Sequence, residues 1–126
     1  MRSYLVLILA LAGVLLFDCW GQSQLKEIAH TGADMVVQEQ QFIQAGQWED
    51  ASALCEELSA YLEDNDFLLS VLVEHERIDT IRSQQKELAA LLDHRETTLA
   101  RIRVEQLKLS YEDLYDSIRV SWENII

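Results

Sequence analysis

From Gln47 to Ile126 the chain contains no glycine, and it contains no proline anywhere. The tight turns of hairpins and β-arcades depend on residues that tolerate positive φ or fix φ near −65°, so this long stretch has almost nothing from which to build them. The four glycines, Gly13, Gly21, Gly32 and Gly46, all lie upstream. Recurrent apolar residues at helical spacing fill the remainder, and the chain is therefore expected to be all-α. With 126 residues, part of them a terminal apolar run, there is material for one soluble domain of roughly 100 residues and one modest core.

Tyr4 to Phe17 is a run of 14 residues without a charge, behind Met1-Arg2-Ser3. Its length suits the central region of a secretory signal peptide and is short of the ~20 residues of a full span, although Cys19 and Trp20 extend it. The one small-x-small cleavage candidate, Cys19-Trp20-Gly21, is poor, and Trp20 is a residue type that settles at a membrane interface. Residues 1–20 thus read as an uncleaved signal-anchor or transmembrane segment, and 21–126 as an acidic helical bundle domain. Arg2 on the short flank against Asp18 on the other places the N-terminus in the cytoplasm. The protein is then a single-pass protein of the cell membrane with an extracytoplasmic domain. Asp18 is the wrong residue before a lipidated cysteine, and Cys19 and Cys55 are expected to be unpaired.

Ten basic against 22 acidic residues give a net charge of −12. That excess repels phosphate backbones and anionic headgroups, which argues against a nucleic-acid partner or a polybasic membrane patch.

Along the chain, Leu25, Ile28, Gly32, Met35 and Val36 mark a first helix from Ser23. A polar turn is expected at Gln38 to Gln41, after which Phe42 and Ile43 resume the face and Gly46 ends it. Trp48, Ala51, Leu54, Cys55, Leu58 and Leu62 define a second helix, Gln47 to Leu62, antiparallel to the first. After an acidic turn, Glu63 to Asp66, the spacing predicts a continuous central helix from Phe67 to Leu92. Its stripe is Leu68, Val71, Leu72, Ile78, Ile81, Leu88, Leu91 and Leu92. Asp93 and Glu96 have the spacing of a capping box for a last helix with Ala100, Val104, Leu107, Tyr111, Leu114 and Ile118 on its seam. A kink is expected at Ser110 to Asp113, and the apolar tail, Val120 to Ile126, is expected to fold back. The architecture is an N-terminal membrane anchor followed by a bundle of about four helices.

Chemistry concentrates in a polar knot near the middle of the central helix, Glu74 to Asp79. His75 and Asp79 are four apart and share a helix face, and His75, between Val71 and Ile78, is expected near the buried stripe. Hydrogen bonding of His75 to Asp79 or to a neighbouring helix, with Arg77 or Arg82 pairing nearby carboxylates, would fix helix register. Glu74, His75, Asp79 and Arg82 are accordingly the candidate structural or interaction site. The alternative is a divalent-metal site at Glu74, His75 and Asp79, but Asp79 stands where H-E-x-x-H chemistry needs its second histidine. There is no glycine-bracketed serine, no phosphate-cradling loop and no cysteine near a histidine in sequence. No catalytic residue, no metal ligand and no cofactor is assigned, and the protein is expected not to be an enzyme.

Trp48-Glu49-Asp50-Ala51, the run Glu74-His75-Glu76-Arg77-Ile78-Asp79-Thr80-Ile81 and the terminal Ser121-Trp122-Glu123-Asn124-Ile125-Ile126 together resemble a bacterial family described only as domain of unknown function 4363. The resemblance implies a small protein with a membrane segment and an α-helical remainder, and it implies no activity. It also suggests a partner class, since similar domains occur beside or fused to multi-pass membrane proteins of the YetF-like type. The expected function is a membrane-anchored helical interaction module whose partner is a multi-pass membrane protein or a second copy of the chain.

Overall fold

The computed structural model describes the backbone of residues 2–125 and the side chains of residues 2–117. Its elements are α1 (Arg2–Gln44), α2 (Trp48–Asp64), α3 (Asp66–Leu72), α4 (His75–Asp93) and α5 (Thr97–Ile125), with no strand among the described residues. The all-α expectation holds.

The expected anchor segment and the first bundle helix are one element. α1 runs for 43 residues without interruption, ~65 Å at 1.5 Å per residue. The expected boundary at residue 20 falls inside it, and only the environment changes there. Residues 2–20 are exposed, and Gly21 is the first buried position. The polar turn expected at Gln38 to Gln41 is also helix, since glutamine and glutamate are good helix formers and no breaker accompanies them.

α1 ends where Gly46 predicts. Gly46 has φ +72°, its N–H donates to the Ile43 carbonyl at 3.1 Å, and the Gln47 N–H reaches back to Phe42 at 2.9 Å. This is a Schellman motif, and α2 leaves it antiparallel to α1.

The central helix from Phe67 to Leu92 is not continuous, and the chain does not reverse at Glu63 to Asp66. Asn65, at φ −106° and ψ 14°, interrupts the helix for one residue without turning the chain back. Its side-chain amide donates to the Tyr61 carbonyl at 2.8 Å and its own carbonyl accepts from the Leu69 N–H at 3.1 Å. α3 therefore continues α2 downward. The reversal comes at Val73, extended at φ −121° and ψ 146°, a conformation β-branched residues favour. Glu74 then caps α4, its carbonyl accepting from the Arg77 N–H at 3.1 Å.

The expected capping box also shifts. Asp93 is the last residue of α4, and α5 starts at Thr97. Between them Arg95 takes φ 53°, with the Arg95 N–H on Leu92 at 3.1 Å and the Glu96 N–H on Leu91 at 3.0 Å. It is a second Schellman motif, built on arginine where glycine is usual. α5 passes through Ser110 to Asp113 without restarting, and Ser110 Oγ is bonded to Gln84 Oε1 at 2.7 Å. Ile118 on the expected seam and the expected fold-back of residues 120–126 lie outside the described side chains.

The helices form a ring in which α1 neighbours α2 and α5, and α4 neighbours the same two. Each faces the centre with a stripe stepping by three and four residues, as near-antiparallel ridges-into-grooves packing requires. Among the buried positions are Leu25, Ile28, Gly32, Val36, Glu39 and Ile43 on α1, and Ala51, Cys55, Leu58 and Leu62 on α2. α4 gives Ile78, Ile81, Gln85, Leu88 and Leu92, and α5 gives Ala100, Val104, Leu107, Tyr111 and Leu114. Tyr111 fits only because Gly32 faces it. A Cβ there would stand 2.6 Å from the ring Cδ1 and 2.9 Å from Cζ.

Candidate functional site

The four residues singled out from sequence lie at the elbow between α3 and α4, at the end of the bundle nearest the exposed stretch of α1. The break at Val73 moves the polar knot from the middle of a helix to the first turns of α4. His75 is consequently not near the buried stripe. Its side chain is 85% exposed, with Nε2 at 3.3 Å from Asp79 Oδ2 one turn on, so the expected pair exists but in solvent. Arg82 pairs with Asp66 of α3 across the elbow. Its Nε is buried without a partner. Glu74 belongs to neither pair.

Glu74 and Arg77 instead line two clefts. One, of about 290 Å³, is completed by Glu76, Thr80, Ser110 and Asp113. The other, about 130 Å³, lies toward Gln22, Leu25, Leu72 and Leu114. The first holds three carboxylates around one guanidinium, a solvated acidic surface. Among the described residues no group of three His, Cys, Asp or Glu side chains is placed to hold a metal ion.

A second polar feature is deeper, and the sequence reading passed over it. Glu39 is only 1% exposed, and neither carboxylate oxygen has a hydrogen-bond partner. Burial pushes its carboxyl up to about 8, so it is held neutral at neutral pH. Gln85, also buried, donates from Nε2 to the Tyr111 hydroxyl at 3.4 Å, and its backbone carbonyl accepts from Cys55 Sγ at 3.8 Å. Burial pushes the Cys55 thiol up to about 12, with the charges of Glu39, Glu56 and Asp93 adding to it. Tyr111 is raised by burial first and then by Tyr61 and Cys55. Four helices thus each contribute one polar group to the interior. A thiol held protonated this far above neutrality is a poor nucleophile, and the bonded line through Cys55, Gln85 and Tyr111 reads as a register-fixing network, from which the unpartnered Glu39 stands apart. The signal was present in the spacing. Glu39 falls between Val36 and Ile43, and Gln85 between Ile81 and Leu88, each on the apolar stripe of its helix.

The remaining feature is exposed apolar surface. Tyr4 to Leu16 stand open along α1, and α1 is the one helix among the described residues long and apolar enough to cross a membrane. On α5, Leu99, Ile102 and Leu109 are about half exposed, at steps of three and seven on the side away from the core. Ile102 and Leu109 border a groove of about 450 Å³ against Gln40 and Gln44 of α1.

In comparisons with known proteins, the family model for a domain of unknown function, DUF4363, matches residues 19–125. No curated protein and no solved structure matches the chain.

Proposed function

Because the chain belongs to the DUF4363 family, whose model begins at the point where α1 leaves its exposed apolar stretch, we propose that it is a non-catalytic, single-pass membrane protein. Its acidic bundle is presented outside the cytoplasmic membrane as a docking module for another membrane protein. The observation behind this reading is α1 itself. A helix exposed and apolar over its first half and buried along one stripe over its second joins an exposed apolar segment to a protein core with no linker. Sidedness rests on Arg2 before the apolar run and Asp18 after it. The outer seam of α5, with Leu99, Ile102 and Leu109, is the surface offered to the partner, which is a multi-pass membrane protein of the YetF-like type or a second copy of the chain.

The test is fractionation of the full chain in cells, followed by protease treatment of intact spheroplasts and crosslinking at the α5 seam. Retention in the membrane after alkaline extraction, with the bundle cleaved from outside, is expected. Recovery in the soluble fraction would sink the anchor, and protection of the bundle from protease would reverse the topology. Crosslinks from a probe at position 109 that vanish with Ile102→Glu would place the partner on α5.

A further inference from the structure

We propose that α3 is an interfacial element, whose outward face, Phe67 and Val71, lies in the headgroup zone of the same neutral bilayer that the first half of α1 enters; this rests on the anchor reading above.

The placement follows from contact. α3 packs against α1, and its last residue, Leu72, sits against Gly21. A Cβ on Gly21 would be 2.7 Å from Leu72 Cδ1. Gly21 is also the first covered position on α1, so the lower end of α3 stands where the exposed apolar stretch stops. Phe17, one turn earlier, shares the helix face of Gly21 and so lies on the α3 side. Its ring is 6.1 Å from that of Trp20, tilted 45°. An aromatic pair of this kind, with a polar indole tip, suits the boundary between hydrocarbon and headgroups.

α3 turns Leu69 inward and leaves Phe67 73% and Val71 54% exposed. They are four residues apart and share one face. Val71, one residue before Leu72, stands about 1.5 Å above the level of Gly21 and Phe67 about 6 Å higher along the helix, both within the roughly 5–8 Å headgroup layer on one side of the hydrocarbon. A phenylalanine this open, directly above an exposed apolar stretch, extends that stretch onto the bundle. The charge around it selects the lipid. Glu63, Asp64 and Asp66 precede the face and no lysine or arginine lies within α3, so a zwitterionic surface fits and a polyanionic one does not. The elbow is tied to α4 by the Arg82–Asp66 pair, which makes the contact a strut between bilayer and bundle.

The experiment uses the full chain in phosphatidylcholine nanodiscs, with a single tryptophan placed at position 20, 67 or 99 and the other native tryptophans replaced by phenylalanine. Emission is quenched either by brominated phosphatidylcholine or by aqueous acrylamide. Phe67→Trp is expected to lose emission to the brominated lipid as Trp20 does, while Leu99→Trp, equally apolar but at the far end of α5, responds only to acrylamide. If Trp20 is quenched by lipid and Phe67→Trp behaves like Leu99→Trp, the α3 proposal is overturned and the anchor stands. If Trp20 itself ignores the lipid, both fall. Should the tryptophan replacements lower helix content, Phe67→Cys carrying a polarity-sensitive dye, in a Cys19→Ser chain, gives the same reading, because Cys55 is buried and its thiol is held protonated. A blue-shifted dye in nanodiscs supports the strut, and a water-like spectrum removes it.

Discussion

At the scale of single residues, the costliest side chain is Glu39. Its carboxyl titrates near 8 in the fold against ~4.3 in an unfolded chain. The folded chain therefore binds the extra proton between those values. This group's contribution is most favourable below about pH 4.3 and is lost progressively as pH rises to about 8, at up to ~1.4 kcal/mol per pH unit. Glu39→Gln keeps the shape and cannot ionise. Urea unfolding at pH 5 and pH 8 should show the native chain losing stability relative to Glu39→Gln, by a few kcal/mol at most. Equal slopes for the two chains would mean that Glu39 is solvated. The residue is in plain view in the sequence on the α1 stripe, but a carboxylate among Gln38, Gln40 and Gln41 has the look of an exposed polar turn, and only the packing shows otherwise. His75 misled in the opposite direction. It fell between apolar neighbours in a pattern that the break at Val73 removes, leaving it in solvent.

Among elements, helix ends separate what was legible from what was not. Gly46 announced the end of α1 because only glycine adopts its φ without a steric cost, and the structure places a Schellman motif there. The same motif after α4 carries Arg95 in the left-handed region, which nothing in the sequence marks. Arg95→Gly should relieve the Cβ clash and raise stability by about 1 kcal/mol, read as a higher melting temperature with unchanged helix content. A lower one would mean that the Arg95 side chain contributes more than its backbone costs. The reversal at Val73 was equally hidden, because a turn made from one extended residue and one carbonyl cap needs neither glycine nor proline. The acidic run at Glu63 to Asp66 looked like the better turn, yet Asn65 bridges it by bonding Tyr61. Apolar periodicity located the inner faces of α1, α2, α4 and α5, but not that of α3, where Leu69 is buried and Val71, on the expected stripe, is 54% exposed. It could not show that the anchor and first helix were one, since a change of environment within a helix leaves the backbone unaltered.

For the whole molecule, the acidic excess acts as a field. With a net charge of −12, self-repulsion works against the compact state, and the ion pairs, Arg103–Glu87 and Arg82–Asp66 among them, are exposed enough to offset little of it. Raising ionic strength from ~0.01 M to ~0.15 M cuts the Debye length from about 30 Å to about 8 Å. The melting temperature should rise over that range, and a fall would show that local pairs outweigh the repulsion. Fold class and the four inward stripes were readable at this scale from composition and spacing. The location of the elbow depended on which turn won, so the surroundings of Glu74, His75, Asp79 and Arg82 were not. The unbroken α1 has a mechanical consequence. From Gly21 to Gln44 it forms a lever of about 36 Å that, on the proposed anchoring, would be rooted in the bilayer and carry the hairpin at its tip. A tilt of about 20°, ordinary for a membrane helix adjusting to bilayer thickness, would sweep that tip sideways by roughly 12 Å. Bilayer thickness would then be reported as a displacement at the far end of the bundle.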